Sequence, residues 1–279
     1  MKQEQIDALR HQPIPDQGLL IDGQWAAAAS GQTLPVVSPI DGQTLCSIAA
    51  AGKEDVDRAV QSVRRSFEQG VWSRMAPAER KKVLHRIADR IEAHHAELAV
   101  LGVRDNGTEI AMAWKAEPGS AAGTFRYYAE CVDKVNGEIA PTPEGTLGLI
   151  HKEPVGVVAA IVPWNFPLMI GMWKLAPALA CGCTIVMKPA ELTSLSALRL
   201  GELALEAGLP PGVLNIVPGP GRVVGDTLVN HPGVDKVTFT GSPGVGRGIL
   251  KGAAGNFKRV SLELGGKSAN VIFDDADLD

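Results

Sequence analysis

The side chains in this sequence whose types and settings could do chemistry are Asn165, Lys188, Glu191, Ser242 and Glu263. Glu263 stands between Leu262 and Leu264, directly before Gly265-Gly266. At the end of a buried strand, desolvation would raise its pKa toward that of a working general base. The alternative is a surface Glu ending an edge strand, because isolated carboxylates rarely carry chemistry. Asn165 lies between Pro163 and Pro167. Its amide therefore sits on a stiff loop, as an oxyanion donor requires, unless it bonds its own backbone as turn asparagines do. Lys188 and Glu191 leave a strand end together. A carboxylate there can accept hydrogen bonds from ribose hydroxyls and would repel a 2′-phosphate, which favours NAD over NADP; the alternative is a surface ion pair, worth little. Ser242 is placed to cap a helix opening at Pro243, and the glycines around it would let the backbone approach a pyrophosphate at the helix N-terminus. Pro243 breaks the usual G-x-G-x-x-G pattern. Gly219-Pro220-Gly221, with Gly225 beyond it, is off-pattern too, and either set alone is a weak signal.

These residues need elements that bring them to one edge. Apolar, β-branched strands are predicted over residues 155–162, 184–188, 213–217, 236–240 and 259–263, with helical segments between them. The clearest helix covers 193–207, with Thr193 as its cap and Gly208 ending it before Pro210-Pro211. Repeated strand, helix, strand implies a parallel sheet covered on both faces, and ligands collect at the carboxyl ends of such strands. Asn165, Lys188-Pro189-Ala190-Glu191, Thr240-Gly241-Ser242 and Glu263 all fall there.

Ahead of this core, residues 18–48 carry turn signals at Asp22-Gly23, Ser30-Gly31 and Asp41-Gly42 and read as short hairpins laid over a surface. Val56, Val60, Val63 and Phe67 recur at helical spacing, and Pro77 opens a second helix with Val83, Leu84, Ile87 and Ile91 on one face. A third helix covers 96–104 and a fourth 109–132, broken or bent at Pro118-Gly119. Residues 136–152 lose the helical period and read as a hairpin outside the core. An isolated hairpin is marginal in water, so this one is expected to pack on something, plausibly another subunit. The fold class is thus α/β: a Rossmann-like open parallel sheet with helices on both faces, N-terminal helical and hairpin additions, and a protruding β-hairpin.

The chain has 279 residues, 45% hydrophobic and 21% charged, enough for one large or two ordinary domains. Lys+Arg 27 against Asp+Glu 31 gives a net charge of −4, which advertises no surface to nucleic acid or anionic lipid. No apolar run suggests a membrane span and residues 1–10 are too polar for a signal peptide, so a cytoplasmic location is expected. Cys46, Cys131, Cys181 and Cys183 match neither zinc nor disulfide spacings, so no metal is expected and a reducing compartment fits.

Pro163-Trp164-Asn165-Phe166-Pro167, Lys188-Pro189-Ala190-Glu191, Phe239-Thr240-Gly241-Ser242 and Glu263-Leu264-Gly265-Gly266-Lys267-Ser268, in this order, resemble the aldehyde dehydrogenase superfamily from about Leu20 to the last residue. The resemblance implies oxidation of an aldehyde to a carboxylic acid through a covalent thioester, with NAD, or NADP, as hydride acceptor. It implies that Asn165 stabilises the tetrahedral oxyanion and that Glu263 activates the thiol or the deacylating water. Lys188 and Glu191, with Pro189 and Ala190 between them, would hold the adenosine ribose. Ser242 and Val245 would approach the pyrophosphate. Ile161, Pro163, Trp164, Gly221, Gly225, Phe239, Thr240, Gly241, Glu263, Leu264 and Gly265 complete the implied cofactor contacts. Phe166, Ile170 and Trp173 fall where the family lines its aldehyde tunnel, although Trp173 at helical spacing could equally be core. The implied domains are an N-terminal part of the NAD-binding domain (1–135), an oligomerisation hairpin (136–153), the NAD-binding core (154–268) and the start of a catalytic domain (269–279). A homo-oligomer, dimer or tetramer, is implied for the intact protein.

One departure matters. The family's nucleophilic cysteine follows the Glu263 position by a few dozen residues, and this sequence stops at Asp279. Cys181 and Cys183 lie at the amino end of a strand, opposite the expected site, and both read as buried small apolar residues. Cys46 falls in a strand and Cys131 in a helix. The expectation is that the 279-residue chain alone does not oxidise aldehydes. A non-catalytic NAD-binding or subunit-association module is the alternative. A CoA-acylating relative is a weaker one, because Glu263 would have little use there.

Overall fold

The computed structural model describes residues 3–277, so the first two residues of the 1–135 segment and the last two of the 269–279 segment lie outside the described residues. In chain order, α1 (Gln3–His11) precedes the hairpin β1 (Leu19–Ile21) and β2 (Gln24–Ala26) and a second antiparallel pair, β3 (Thr33–Val37) and β4 (Thr44–Ala49). Five helices follow: α2 (Lys53–Gln69), α3 (Pro77–Ala93), α4 (His95–Asn106), α5 (Ile110–Ala116) and α6 (Pro118–Cys131). The strands β5 (Glu138–Ala140) and β6 (Gly148–Ile150) form a separate hairpin. The remainder alternates: β7 (Val157–Ile161), α7 (Pro167–Ala180), β8 (Thr184–Lys188), α8 (Leu195–Glu206), β9 (Leu214–Ile216), a π-turn (Gly221–Gly225) running into α9 (Asp226–Asn230), β10 (Lys236–Gly241), α10 (Pro243–Ala253) and β11 (Arg259–Leu264).

Seven strands form one sheet in the order β11-β10-β7-β8-β9-β1-β2. The five from β11 to β9 are parallel, and β1 adds antiparallel to β9 through Leu20 and Ile216. Every residue of β7 and β8 is buried, as strands covered on both faces must be. Alternate residues serve two cores. Val158 and Ala160 join Leu84, Phe125 and Leu175 beneath α3, α6 and α7, while Val157, Ala159 and Ile161 join Val56, Val60, Leu228 and Ile249 beneath α2, α9 and α10. From β7 the chain steps through β8 to β9, then returns to the far side of β7 with β10. The strand order therefore reverses between β7 and β10, and the crevice beyond their carboxyl ends is where such sheets bind ligands. Among the described residues no helix is long and apolar enough to cross a membrane.

Several expectations change. The first hairpin is not laid over a surface but extends the main sheet, with Leu19 and Leu20 buried. Helix α1 was not foreseen, because it buries no residue and so presents no apolar stripe to read. Thr193 is not the cap of α8; its hydroxyl is buried without a partner. The N–H of Leu195 instead donates to Asp105 Oδ2 at 3.0 Å, a carboxylate brought from the end of α4. The break at Pro118 is present, and α5 and α6 meet at Glu117. The hairpin β5–β6 leaves Ile139, Leu147 and Leu149 largely exposed.

Candidate functional site

The loop after β7 is held open. Asn165 and Trp164 are exposed, and the Asn165 amide takes no described hydrogen bond, so the turn in which it would bond its own backbone is not formed. The loop is fixed from behind by Asn106, whose Nδ2 donates to the carbonyls of Trp164 at 2.6 Å and Asn165 at 3.0 Å. The Thr108 hydroxyl in turn donates to Asn106 Oδ1. Glu117 fixes the next element by accepting from Met169 N, in the first turn of α7, at 2.8 Å.

Register then lines up several of the residues expected to meet a cofactor. Ile161 pairs with Lys188 on one side and Phe239 on the other, and Phe239 pairs with Leu262. Lys188 is not in a surface ion pair: it is 3% exposed, and its Nζ donates to Pro189 O at 2.9 Å and Glu191 Oε2 at 2.8 Å. Burial works to raise the Glu191 carboxyl, but the Lys188 ammonium outweighs it and holds the group below its usual value. Glu191 Oε1 accepts from Gly221 N at 3.4 Å, which ties the π-turn containing Gly225 to the same corner. Pro189 is buried and Ala190 half-buried in the connecting loop. Ser242 caps α10, its hydroxyl accepting from Val245 N at 3.4 Å, and Pro243 opens the helix as foreseen. Gly246 lets α10 close on β11, since a Cβ there would stand 2.8 Å from a Leu264 methyl.

Glu263 corrects the expectation of a buried carboxylate. Among the described residues β11 pairs only with β10, so it is the sheet's edge, and Glu263, beside Thr240 in the register, is exposed together with Leu264 and Gly265. The Glu263 side chain opens onto a cleft of about 590 Å³ that runs along α7 past Trp173 and Lys174 to Cys181. Trp173 is half-exposed at that cleft rather than in the core. Ile170 is buried, and neither it nor Phe166, the half-buried cap position of α7, lines the cleft. Cys181 also departs from expectation: it is exposed at the end of α7, whereas Cys183 is buried and burial raises its thiol. Burial, with the Asp16 and Asp105 carboxylates, raises the Cys46 thiol to about 11. Among the described residues no group of three His, Cys, Asp or Glu could hold a metal ion.

Residues 25–279 match the profile of the Aldehyde dehydrogenase family. This chain belongs to the aldehyde dehydrogenase family. It is 49% identical over 258 residues to the NADP/NAD-dependent aldehyde dehydrogenase PuuC of Escherichia coli (strain K12), a match that covers 92% of this chain and 52% of that protein. To retinal dehydrogenase 2 of Homo sapiens it is 46% identical over 264 residues, covering 94% and 51% respectively. A solved structure of P. syringae AldA, an indole-3-acetaldehyde dehydrogenase variant in complex with NAD+ and IAA, superposes with a TM-score of 0.93 at 44% identity, covering 98% of this chain and 55% of that one. The chain thus spans about half the length of these relatives.

Two features of this aldehyde dehydrogenase chain were missed by sequence reasoning. Lys174 stands buried in the apolar helix α7, where a lone lysine was the available signal; its Nζ donates to Thr240 Oγ1 at 2.8 Å and Thr238 Oγ1 at 3.3 Å. Burial lowers Lys174 to about 8, opposed by the nearby Glu263 charge. The second feature is the buried acid pair Asp105 and Glu117, each capping a helix that leaves the site. Burial raises Asp105 to about 8 and Glu117 to about 6.

Between about pH 4.5 and about pH 6 the folded chain keeps the Glu117 proton that the unfolded chain has released, so this group destabilises the fold as pH rises through that window, and fully above it. Glu117→Gln preserves an acceptor for Met169 N and removes the proton. Urea unfolding across this window is expected to show a smaller loss of stability with rising pH in the variant than in the parent chain; parallel curves would refute the assignment.

Proposed function

We propose that this chain is the cofactor-binding part of an NAD-dependent aldehyde dehydrogenase that converts an aldehyde to a carboxylic acid. The observation that carries the reading is the convergence at the reversal between β7 and β10. The free amide of Asn165, the buried Lys188 with Glu191, and the Ser242-capped start of α10 meet there. These groups fit a dinucleotide: Glu191 presents carboxylate oxygens to ribose hydroxyls and α10 presents its first N–H groups to a pyrophosphate. When bound, NAD would accept the hydride. Asn165 would donate its amide to the oxyanion formed from the aldehyde carbonyl, and Glu263 would take a proton from the attacking thiol or water. Trp173 would contact the aldehyde body. Lys188 orients Glu191, and the carboxylate beside the ribose favours NAD, with NADP as a secondary substrate. The organisation proposed is an N-terminal part (1–135), an oligomerisation hairpin (136–153), the NAD-binding core (154–268) and the start of a catalytic domain (269–279).

None of the cysteines in this chain suits the nucleophile's role. Cys46 and Cys183 are buried with raised thiols, Cys181 lies at the amino edge of the sheet, away from Asn165, and Cys131 ends α6. The 279 residues alone are therefore expected to bind NAD without producing NADH from a panel of aldehydes. Steady absorbance of NADH from the purified chain would refute this. A second reading, a non-catalytic subunit-association module, is favoured by the exposed apolar β5–β6 hairpin.

Glu263 provides a separate check on the assignment. It is exposed on the edge strand and outside the Lys188–Glu191 corner, so Glu263→Gln is expected to leave NAD affinity nearly unchanged in a calorimetric titration. A large loss of affinity would mean that its role is misassigned.

A further inference from the structure

At the amino edge of the sheet, away from the site just described, lies a cation without a counter-charge among the described residues. Arg80 on α3 is 9% exposed. Its Nη1 donates to the carbonyls of Met75 at 3.0 Å and Trp72 at 3.5 Å, but its Nε is buried with no partner and its Nη2 takes none among the described residues. Burial lowers the guanidinium's pKa, opposed only by the Cys181 and Cys183 thiols. A buried cation in this state is costly, and two carbonyls satisfy one corner of its five-donor fork.

Arg80 lines an open groove of about 920 Å³. Two other cations on that groove are already engaged: Arg64 bonds Asp235 at 2.6 Å and Lys152 lies 3.5 Å from Glu138. Arg74 is not. Among the described residues its Nη2 donates only to Gln69 O, and its guanidinium lies folded over Gly70. Glu68, also on the groove, has no ion pair among the described residues and would repel an anion approaching from its side. The favourable approach is over Arg74 toward Arg80.

We propose that this groove is an anion-binding site, separate from the cofactor site, for a small molecule bearing a carboxylate or phosphate with an oxygen on Arg80 Nη2 and Arg74 at the rim. Arg80 Nη2 can donate a charge-assisted hydrogen bond to one ligand oxygen, and the Arg74 guanidinium can meet a second. The groove exceeds the volume of an oxyanion, and Phe67 and Val135 supply an apolar wall for the body of the ligand.

The test is a calorimetric titration of the full chain with inorganic phosphate and, separately, citrate, with chloride at equal ionic strength as control and with or without saturating NAD. Saturable one-site binding of at least one anion is expected, lost in Arg80→Met, weakened several-fold in Arg74→Gln, and not displaced by NAD. The two anions distinguish a phosphate-bearing from a carboxylate-bearing ligand. Binding that is unsaturable and matched by chloride, or that survives unchanged in Arg74→Gln, or that NAD displaces, would overturn the proposal. Arg74→Gln lies at the rim and keeps the test decisive if Arg80→Met does not fold. NAD affinity in both variants is expected to equal that of the parent, so failure of this site is distinguishable from failure of the cofactor assignment.

Discussion

Lys188→Ala is expected to weaken NAD binding by roughly 10- to 100-fold, the equivalent of one charge-assisted hydrogen bond of about 1.5–3 kcal/mol. Lys188 is the last residue of β8 and almost wholly buried, and its ammonium donates to Glu191 Oε2 and to Pro189 O. Removing it leaves Glu191 without the partner that holds its carboxyl below the usual value, and leaves the Pro189 carbonyl without a donor. The carboxylate would then be less fixed when a ribose arrives. Lys188→Met keeps most of the stem's packing and isolates the loss of charge. Calorimetric titration of NAD into both variants measures the effect, and an affinity equal to the parent's in Lys188→Met would exclude Lys188 from the cofactor corner.

The largest effect on stability is expected at Trp72. The ring is fully buried in the turn between α2 and α3, and its Nε1 donates to Leu179 O in the last turn of α7 at 2.9 Å. Trp72→Ala therefore removes core volume and orphans a carbonyl, at a cost of about 3–5 kcal/mol. Trp72→Phe keeps most of the ring and loses the donor, and costs about 1–2 kcal/mol. Urea unfolding gives both values. A cost below about 1 kcal/mol for Trp72→Ala would mean that the site collapses freely and that α7 is not pinned from its C-terminal end.

The sheet was legible where burial on both faces leaves a mark in composition: β7 and β8 are unbroken apolar or β-branched runs up to the lysine. Ser242 was legible because a cap is a local bond within one turn. Lys188 and Glu191 were legible as a pair for the same reason of short separation, though not the burial of Lys188. Long-range placement was not legible. Which strand lies at the edge depends on the reversal between β7 and β10, and that order decides whether Glu263 is buried or exposed. The cap of α8 comes from Asp105, 90 positions from Leu195, so no window around Thr193 could reveal it. Asn106 was hidden likewise, since Asp105-Asn106-Gly107 reads only as a helix end, yet its amide fixes the loop of Asn165. Cys181 is exposed because α7 ends there at the sheet's amino edge, a fact that spacing within Cys181-Gly182-Cys183 does not carry.

The central claim, that the corner formed by Lys188, Glu191 and the start of α10 holds NAD, is tested most directly by calorimetric titration of NAD into the folded 279-residue chain. The account predicts saturable one-site binding in the micromolar range, weakened in Lys188→Met. A chain that is folded by circular dichroism and yields no heat of binding at any NAD concentration tested would contradict it.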